Sequence, residues 1–238
     1  MNHVINSTNA DGIDSDDTIQ PTQMANMLPD AIATVFSRNH RTLVLIDGAN
    51  TYQSSRVLNF DIDYKKLREL LNKTTDLLRT YYFTVISEVP GENMYNVLKP
   101  LTDWMSYNNY SVVVKTVKST DAARNKLKPP LFIDVELTVV AMQQMNNYDT
   151  LVLFSGDGDF CPLVEVLKAQ GKRVIVVSTL LSDSVPILSD NLRRAADHVV
   201  FLEHLIPLIQ RDPSRIKPRR TSYGNVRPAT DDKDSDSE

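Results

Sequence analysis

The feature that most restricts this chain is an alternation. Short apolar runs rich in β-branched residues are separated by segments with helical spacing of apolar residues. Thr42–Ile46, Tyr81–Val89, Ser111–Val117, Thr150–Phe154 and Arg173–Ser178 read as strands, with a shorter one at Val199–Leu202. Between them, Asp61–Thr80, Asn93–Tyr107, Ile133–Met145 and Phe160–Ala169 read as helices, followed by helices at Ser189–Ala195 and up to Gln210. Asp61 or Asp63 is a candidate N-cap for the first helix, and Gly171 stands where a helix C-terminus needs it. Strands that alternate with helices imply an α/β fold with a mostly parallel sheet and right-handed crossovers. The order expected is 3-2-1-4-5, which makes strands one and four neighbours at the point where the order reverses.

Charge divides the chain further. Its net charge is −4, but the balance is uneven. Residues 1–30 carry five aspartates and no base; 211–228 carry six bases and one acid; 229–238 carry five acids and one base. A balanced body with polar, oppositely charged ends predicts a disordered N-terminal segment over 1–35, one folded domain over 36–210 and a disordered tail over 211–238. With 42% hydrophobic residues, the body can bury a core of ordinary size. No run of 18 apolar residues is present, so no membrane span is expected. The single cysteine, Cys161, rules out an internal disulfide and any multi-cysteine zinc site, and fits a reducing, cytoplasmic setting.

The chemistry gathers where strands end. Asp47 closes strand one in Asp47-Gly48-Ala49-Asn50; Asp157 and Asp159 follow strand four in Ser155-Gly156-Asp157-Gly158-Asp159. Asp134 opens the helix that leads into strand four. Strand ends and the following helix starts share one face of a parallel sheet, so all four aspartates should meet on the carboxyl-end rim, beside the crevice where such sheets bind ligands. Three of the seven glycines, Gly48, Gly156 and Gly158, lie in these turns, where glycine allows positive φ or close approach to the backbone. Crowded carboxylates repel, and a divalent cation relieves that repulsion. Oxygen-only donors favour Mg²⁺ or Mn²⁺ over zinc. No GxxxxGK[ST] loop occurs, and Gly156-Asp157-Gly158 places acids where a phosphate-binding loop needs neutral amides.

Each aspartate also has a plain alternative. Asp-Gly is a common turn, and carboxylates cap helices. Glu136 reads as solvated, Asp61, Asp63 and Asp197 as cap or loop residues, and Cys161 as a small packing residue, although the first turn of a helix could lower its pKa. His3, His40, His198 and His204 show no ligand spacing. Lys115, Lys118, Arg124, Lys126 and Lys128 lead towards Asp134, where they would either neutralise nucleic-acid phosphates or form a solvated loop. Arg211–Arg227 is a candidate basic arm.

The segments LVLIDGANTY, FIDVELTVVAM, LVLFSGDGDFCPLVEVLKAQGKRVIVVS and SDNLRRAADHVVFL resemble the NYN domain family in its LabA-like branch, from Arg41 to Gln210. The resemblance implies a Rossmann-like, PIN-like three-layer sandwich and a metal-dependent ribonuclease acting on RNA, single-stranded in the expected case. It implies Asp47, Asp134, Asp157 and Asp159 as holders of Mg²⁺ or Mn²⁺, and Asn50 and Ser155 as polar supports. The alternatives are a non-catalytic RNA- or protein-binding regulator of the same fold and a phosphatase of small phosphoesters. The absence of a second aspartate two residues after Asp47 lowers the phosphatase. A homodimer or a protein partner held through the tails is a further expectation.

Overall fold

The computed structural model describes residues 35–87, 94–117, 133–182, 187–212 and 214. The expectations of disordered tails, and those for His3, Lys118, Arg124, Lys126, Lys128 and most of Arg211–Arg227, lie outside those residues. Six strands form one all-parallel sheet: β1 Arg41–Asp47, β2 Asp76–Ser87, β3 Tyr110–Val117, β4 Thr150–Phe154, β5 Arg173–Ser178 and β6 His198–Phe201. Their order is β3-β2-β1-β4-β5-β6, the expected order extended by the short sixth strand. The helices are α1 Gly48–Val57, α2 Tyr64–Thr74, α3 Met94–Tyr107, α4 Asp134–Gln143, α5 Cys161–Ala169, α6 Asp190–Ala195 and α7 Leu202–Ile209, with 3-10 turns at Met145–Asn147 and Gly158–Phe160.

Strand pleating sorts the core into two halves. Val44, Ile46, Tyr82, Val152, Phe154, Ile175 and Val177 face one side, against Leu67 and Leu71 of α2, Met105 of α3, and Leu205 and Ile209 of α7. Leu43, Leu45, Phe83, Leu151, Leu153, Val174 and Val176 face the other, against Leu137 of α4, Leu163 and Leu167 of α5, and Leu192 of α6. Alternation with both faces buried explains why the central strands read as continuous apolar runs.

Two expectations change. The helix expected over Asp61–Thr80 ends at Thr74, and Leu77 and Leu78 belong to β2, which starts at Asp76. Thr75 is extended, and the hydroxyls of Thr74 and Thr75 donate back to the Leu70 and Leu71 carbonyls at 2.8 and 2.7 Å. Adjacent β-branched residues that bond to the preceding turn stop the helix. Asp63 is its N-cap, accepting from the Lys65 and Lys66 amides. The second change is α1, which no periodicity announced. Gly171 closes α5 as expected, with φ of 73° and its amide donating to Lys168 O.

Leu153 is fully buried on β4, between β1 and β5. Leu153→Ala should lower unfolding stability by about 2–5 kcal/mol, read as a shifted denaturant midpoint at unchanged slope.

Candidate metal centre

The two central strands end side by side, and hydrogen bonds tie their turns together. Asp47, 6% exposed, caps α1 by accepting the Ala49 and Asn50 amides on Oδ1, each at 3.1 Å. Ser155 Oγ donates to Asp47 Oδ2 at 3.1 Å and accepts the Asp157 amide at 3.2 Å. Asn50 Oδ1 accepts the Gly156 amide at 2.9 Å. Asp157 Oδ1 then accepts the Asp159 amide at 3.0 Å and caps the 3-10 turn. Asn50 and Ser155 therefore tie the two acidic turns together.

Glycine is required here for space. A Cβ on Gly156 would lie 2.3 Å from Ile187 O, and one on Gly48 2.7 Å from Phe83 O. Positive φ is not the reason, since Gly171 is the only described glycine that adopts it.

Asp134, Asp157 and Asp159 each offer one carboxylate oxygen, and these oxygens lie within 4.8 Å of one another. Two ligands of one hard cation, each about 2.0–2.6 Å from it, are separated by at most about 5 Å, so the three oxygens can share an ion. Asp134 is the first residue of α4, one past the N-cap Ile133, and burial and neighbouring acids rather than hydrogen bonds set its acidity. Asp47 stands outside the trio but lines the same cavity of about 220 Å³ with Asn50, Gln53, Thr84, Asp134 and Asp157. A larger cavity of about 320 Å³, between Tyr64, Trp104 and Arg211, holds a single carboxylate, Asp63, and is not a candidate for this chemistry.

Electrostatics supports the same reading. Burial raises the Asp134 pKa to about 6, aided by Asp157, Asp47, Asp159 and Glu136. Burial also raises Asp47, against the lowering effect of its hydrogen bonds to Asn50, Ser155 and Ala49. The charged neighbours that shift Asp134 most are all acids. An oxygen-only, mutually repelling donor set of this kind fits a hard divalent ion.

Other expectations resolve differently. Glu136 is not simply solvated: it is half-buried and pairs with Lys115 at 3.0 Å. Lys115 is thus engaged with a carboxylate rather than standing free for phosphate. The Cys161 thiol is raised by burial and by Glu165, Asp157 and Asp159, the opposite of an activated thiolate, and it packs against the second core half. Asp197 accepts the Val174 amide and pairs with Lys168. His40, His198 and His204 take no part in the acidic group.

The NYN domain family model matches residues 41–203. The chain belongs to the NYN domain family. This NYN domain is 25% identical over 178 residues to the low amplitude and bright protein LabA of Synechococcus elongatus, covering 73% of the chain and 90% of the relative. It is 29% identical over 167 residues to an uncharacterized protein of Methanocaldococcus jannaschii, covering 68% of the chain and 55% of that protein, so it spans about half the archaeal relative. A solved structure of a Vibrio parahaemolyticus protein of unknown function superposes with a TM-score of 0.56 at 21% identity, over 68% of this chain and 93% of the other. That likeness shows the same three-layer α/β fold. Among the described residues, no helix is long and apolar enough to cross a membrane.

The raised Asp134 pKa carries a sign. Between the ordinary value of 3.8 and about 6, the folded state holds the extra proton. Stability of the metal-free protein is therefore lost as pH rises through that window, and the penalty persists at pH 7. Asp134→Asn should relieve it. Because this carboxylate is partly solvated, the gain is about 1 kcal/mol after screening, a rise of about 2–4 °C in metal-free Tm. The same variant should lose the stabilisation that Mn²⁺ gives the wild-type chain at pH 7, while wild-type Mn²⁺ affinity should fall as pH drops below about 6. Thermal unfolding with Mn²⁺ or EDTA, at pH 5 and pH 7, measures all three.

Proposed function

We propose that this NYN domain, over residues 36–210, is a metal-dependent ribonuclease that hydrolyses phosphodiester bonds of single-stranded RNA. The observation that carries this reading is the convergence of Asp134, Asp157 and Asp159, with oxygens within 4.8 Å, at the crevice beside Asp47 where the strand order reverses. When bound there, Mg²⁺ or Mn²⁺ would neutralise charge on a phosphoryl oxygen and lower the pKa of a water.

The chain's own residues supply position. Asp134 and Asp157 face the cavity and would hold the ion. Asp159, exposed at its edge, would hold a second ion or orient the attacking water. Both Asp47 oxygens already accept hydrogen bonds, so it acts behind the trio, through water and through its charge. Ser155 and Asn50 keep the two turns in register, which fixes the carboxylates before substrate arrives. The β2 backbone passes Asp47 at Phe83 and continues to Ser87, paired there, among the described residues, with β3 alone. This extension walls one side of the cleft with Phe83, Thr84 and Val85 and favours a single strand over a duplex. Oxygen donors suit Mg²⁺ and Mn²⁺ alike.

A cleavage assay on single-stranded RNA and DNA, with Mn²⁺ or EDTA, tests the reading. Asp157→Ala and Asp134→Asn should each lower RNA cleavage at least about 100-fold, with circular dichroism unchanged. Asp47→Asn is the sounder test at Asp47, because alanine would also remove the α1 cap at a cost of about 1 kcal/mol. Equal rates for wild type and Asp157→Ala, or cleavage that persists in EDTA, would overturn the reading. Metal-independent RNA binding without cleavage would favour the regulatory module.

A further inference from the structure

The solvent side of α1 has a pattern that the acidic centre does not use. Ala49, Tyr52, Gln53 and Arg56 are all exposed, at the spacing that places them along one helix face. Ala49 and Gln53 line the acidic cavity. Tyr52, next along, is 57% exposed and belongs to neither core half. Arg56, in the last turn, has no acidic partner among the described residues. The face therefore presents an aromatic ring and an amide side by side in its middle, and a guanidinium at the helix end.

We infer that this stripe of α1 is the track along which a single-stranded nucleic acid leaves the acidic cavity, with a base stacked on Tyr52 and a phosphate on Arg56. The inference rests on the proposed function for its near end, since the cavity is where the scissile phosphate would sit. The dimensions agree. Ala49 to Arg56 spans about 10 Å at 1.5 Å per residue, room for about three stacked nucleotides at roughly 3.4 Å each. The charge agrees too. A polyanion drawn towards a negative rim needs cationic hold close by, and Arg56 is on the helix that Asp47 caps. A Tyr that is largely exposed beside such a groove gives the π-face that stacking needs, and stacking is indifferent to base identity.

Fluorescence anisotropy of a labelled oligouridine tests this. The full-length chain carries Asp157→Asn to stop cleavage, and Mg²⁺ is present. Tyr52→Ala should weaken binding roughly 5- to 100-fold, and Tyr52→Phe should restore most of it. Arg56→Ala should lower the slope of log affinity against log salt by about 0.7. Lys73→Ala, at the opposite end of the sheet beside the start of β2, should change neither. Oligothymidine, run in parallel, distinguishes RNA from DNA as the source of the strand; weakening with either one supports the track. Variants that bind both oligomers as tightly as the parent, with unchanged salt slope, would overturn it. So would an absence of binding at any salt. Cleavage by the chain with Asp157 intact is read separately: cutting that survives with unaltered kcat/KM in Tyr52→Ala and Arg56→Ala would remove the track and leave the proposed function standing.

Discussion

Everything at the rim depends on a short hydrogen-bonded bridge between the turns after β1 and β4. Ser155 reaches Asp47, and Asn50 reaches Gly156, so each turn supplies a side chain that holds the other. The two strands are already paired in register from Thr42↔Thr150 to Ile46↔Phe154. The bridge carries that register beyond the sheet, where backbone pairing stops. Thr51 adds a third tie by donating to Phe154 O at 3.2 Å. Without these contacts the acidic turns would be ordinary surface loops, free to move their carboxylates apart and so relieve the repulsion.

That rigidity has an electrostatic cost. A lone carboxylate of the usual acidity would be ionised well below pH 6, whereas Asp134 is pushed up to about 6 by burial and four neighbouring acids. The fold thus keeps a group in a state it disfavours, which marks a functional site more often than a structural one. The N-cap position does not explain Asp134, since Ile133 occupies it. It does explain part of Asp47 and Asp157, each of which spends one oxygen on amides of the next turn. Capping and function are compatible in these two residues: the cap fixes the carboxylate's direction, and Asp157 keeps a second oxygen for the cavity.

The sequence made much of this legible because the sheet is buried on both faces. Its strands had to be short, continuous and apolar, and five of the six were located to within a few residues at most at each end. The exception was the start of β2: Leu77 and Leu78 continue the helical spacing of Leu67, Leu70 and Leu71, and only the paired threonines at 74 and 75 mark the break. The acidic turns stood out because Asp47, Asp157 and Asp159 fall beside three of the seven glycines after strands one and four, although an Asp-Gly pair is also a common turn. The pairing of Glu136 with Lys115 was not, because it joins α4 to β3 through a geometry that no local spacing encodes.

The failure to foresee α1 has a physical cause with consequences for the site. Periodicity detects a helix through large apolar residues on its buried side, and α1 has none there: it buries Gly48, Thr51, Ser54 and Ser55. Those hydroxyls are satisfied locally, Ser54 donating to Asn50 O and Ser55 to Tyr52 O, so small polar residues can be buried without an unpaired group. Small side chains let the helix lie close over the strand ends, where Gly48 already fits against the Phe83 carbonyl oxygen. A helix with Leu or Ile at those positions would stand off by several ångströms and carry Asn50 away from Gly156. Close packing at the rim and an amphipathic signature are therefore in conflict for this element, and the chain keeps the close packing.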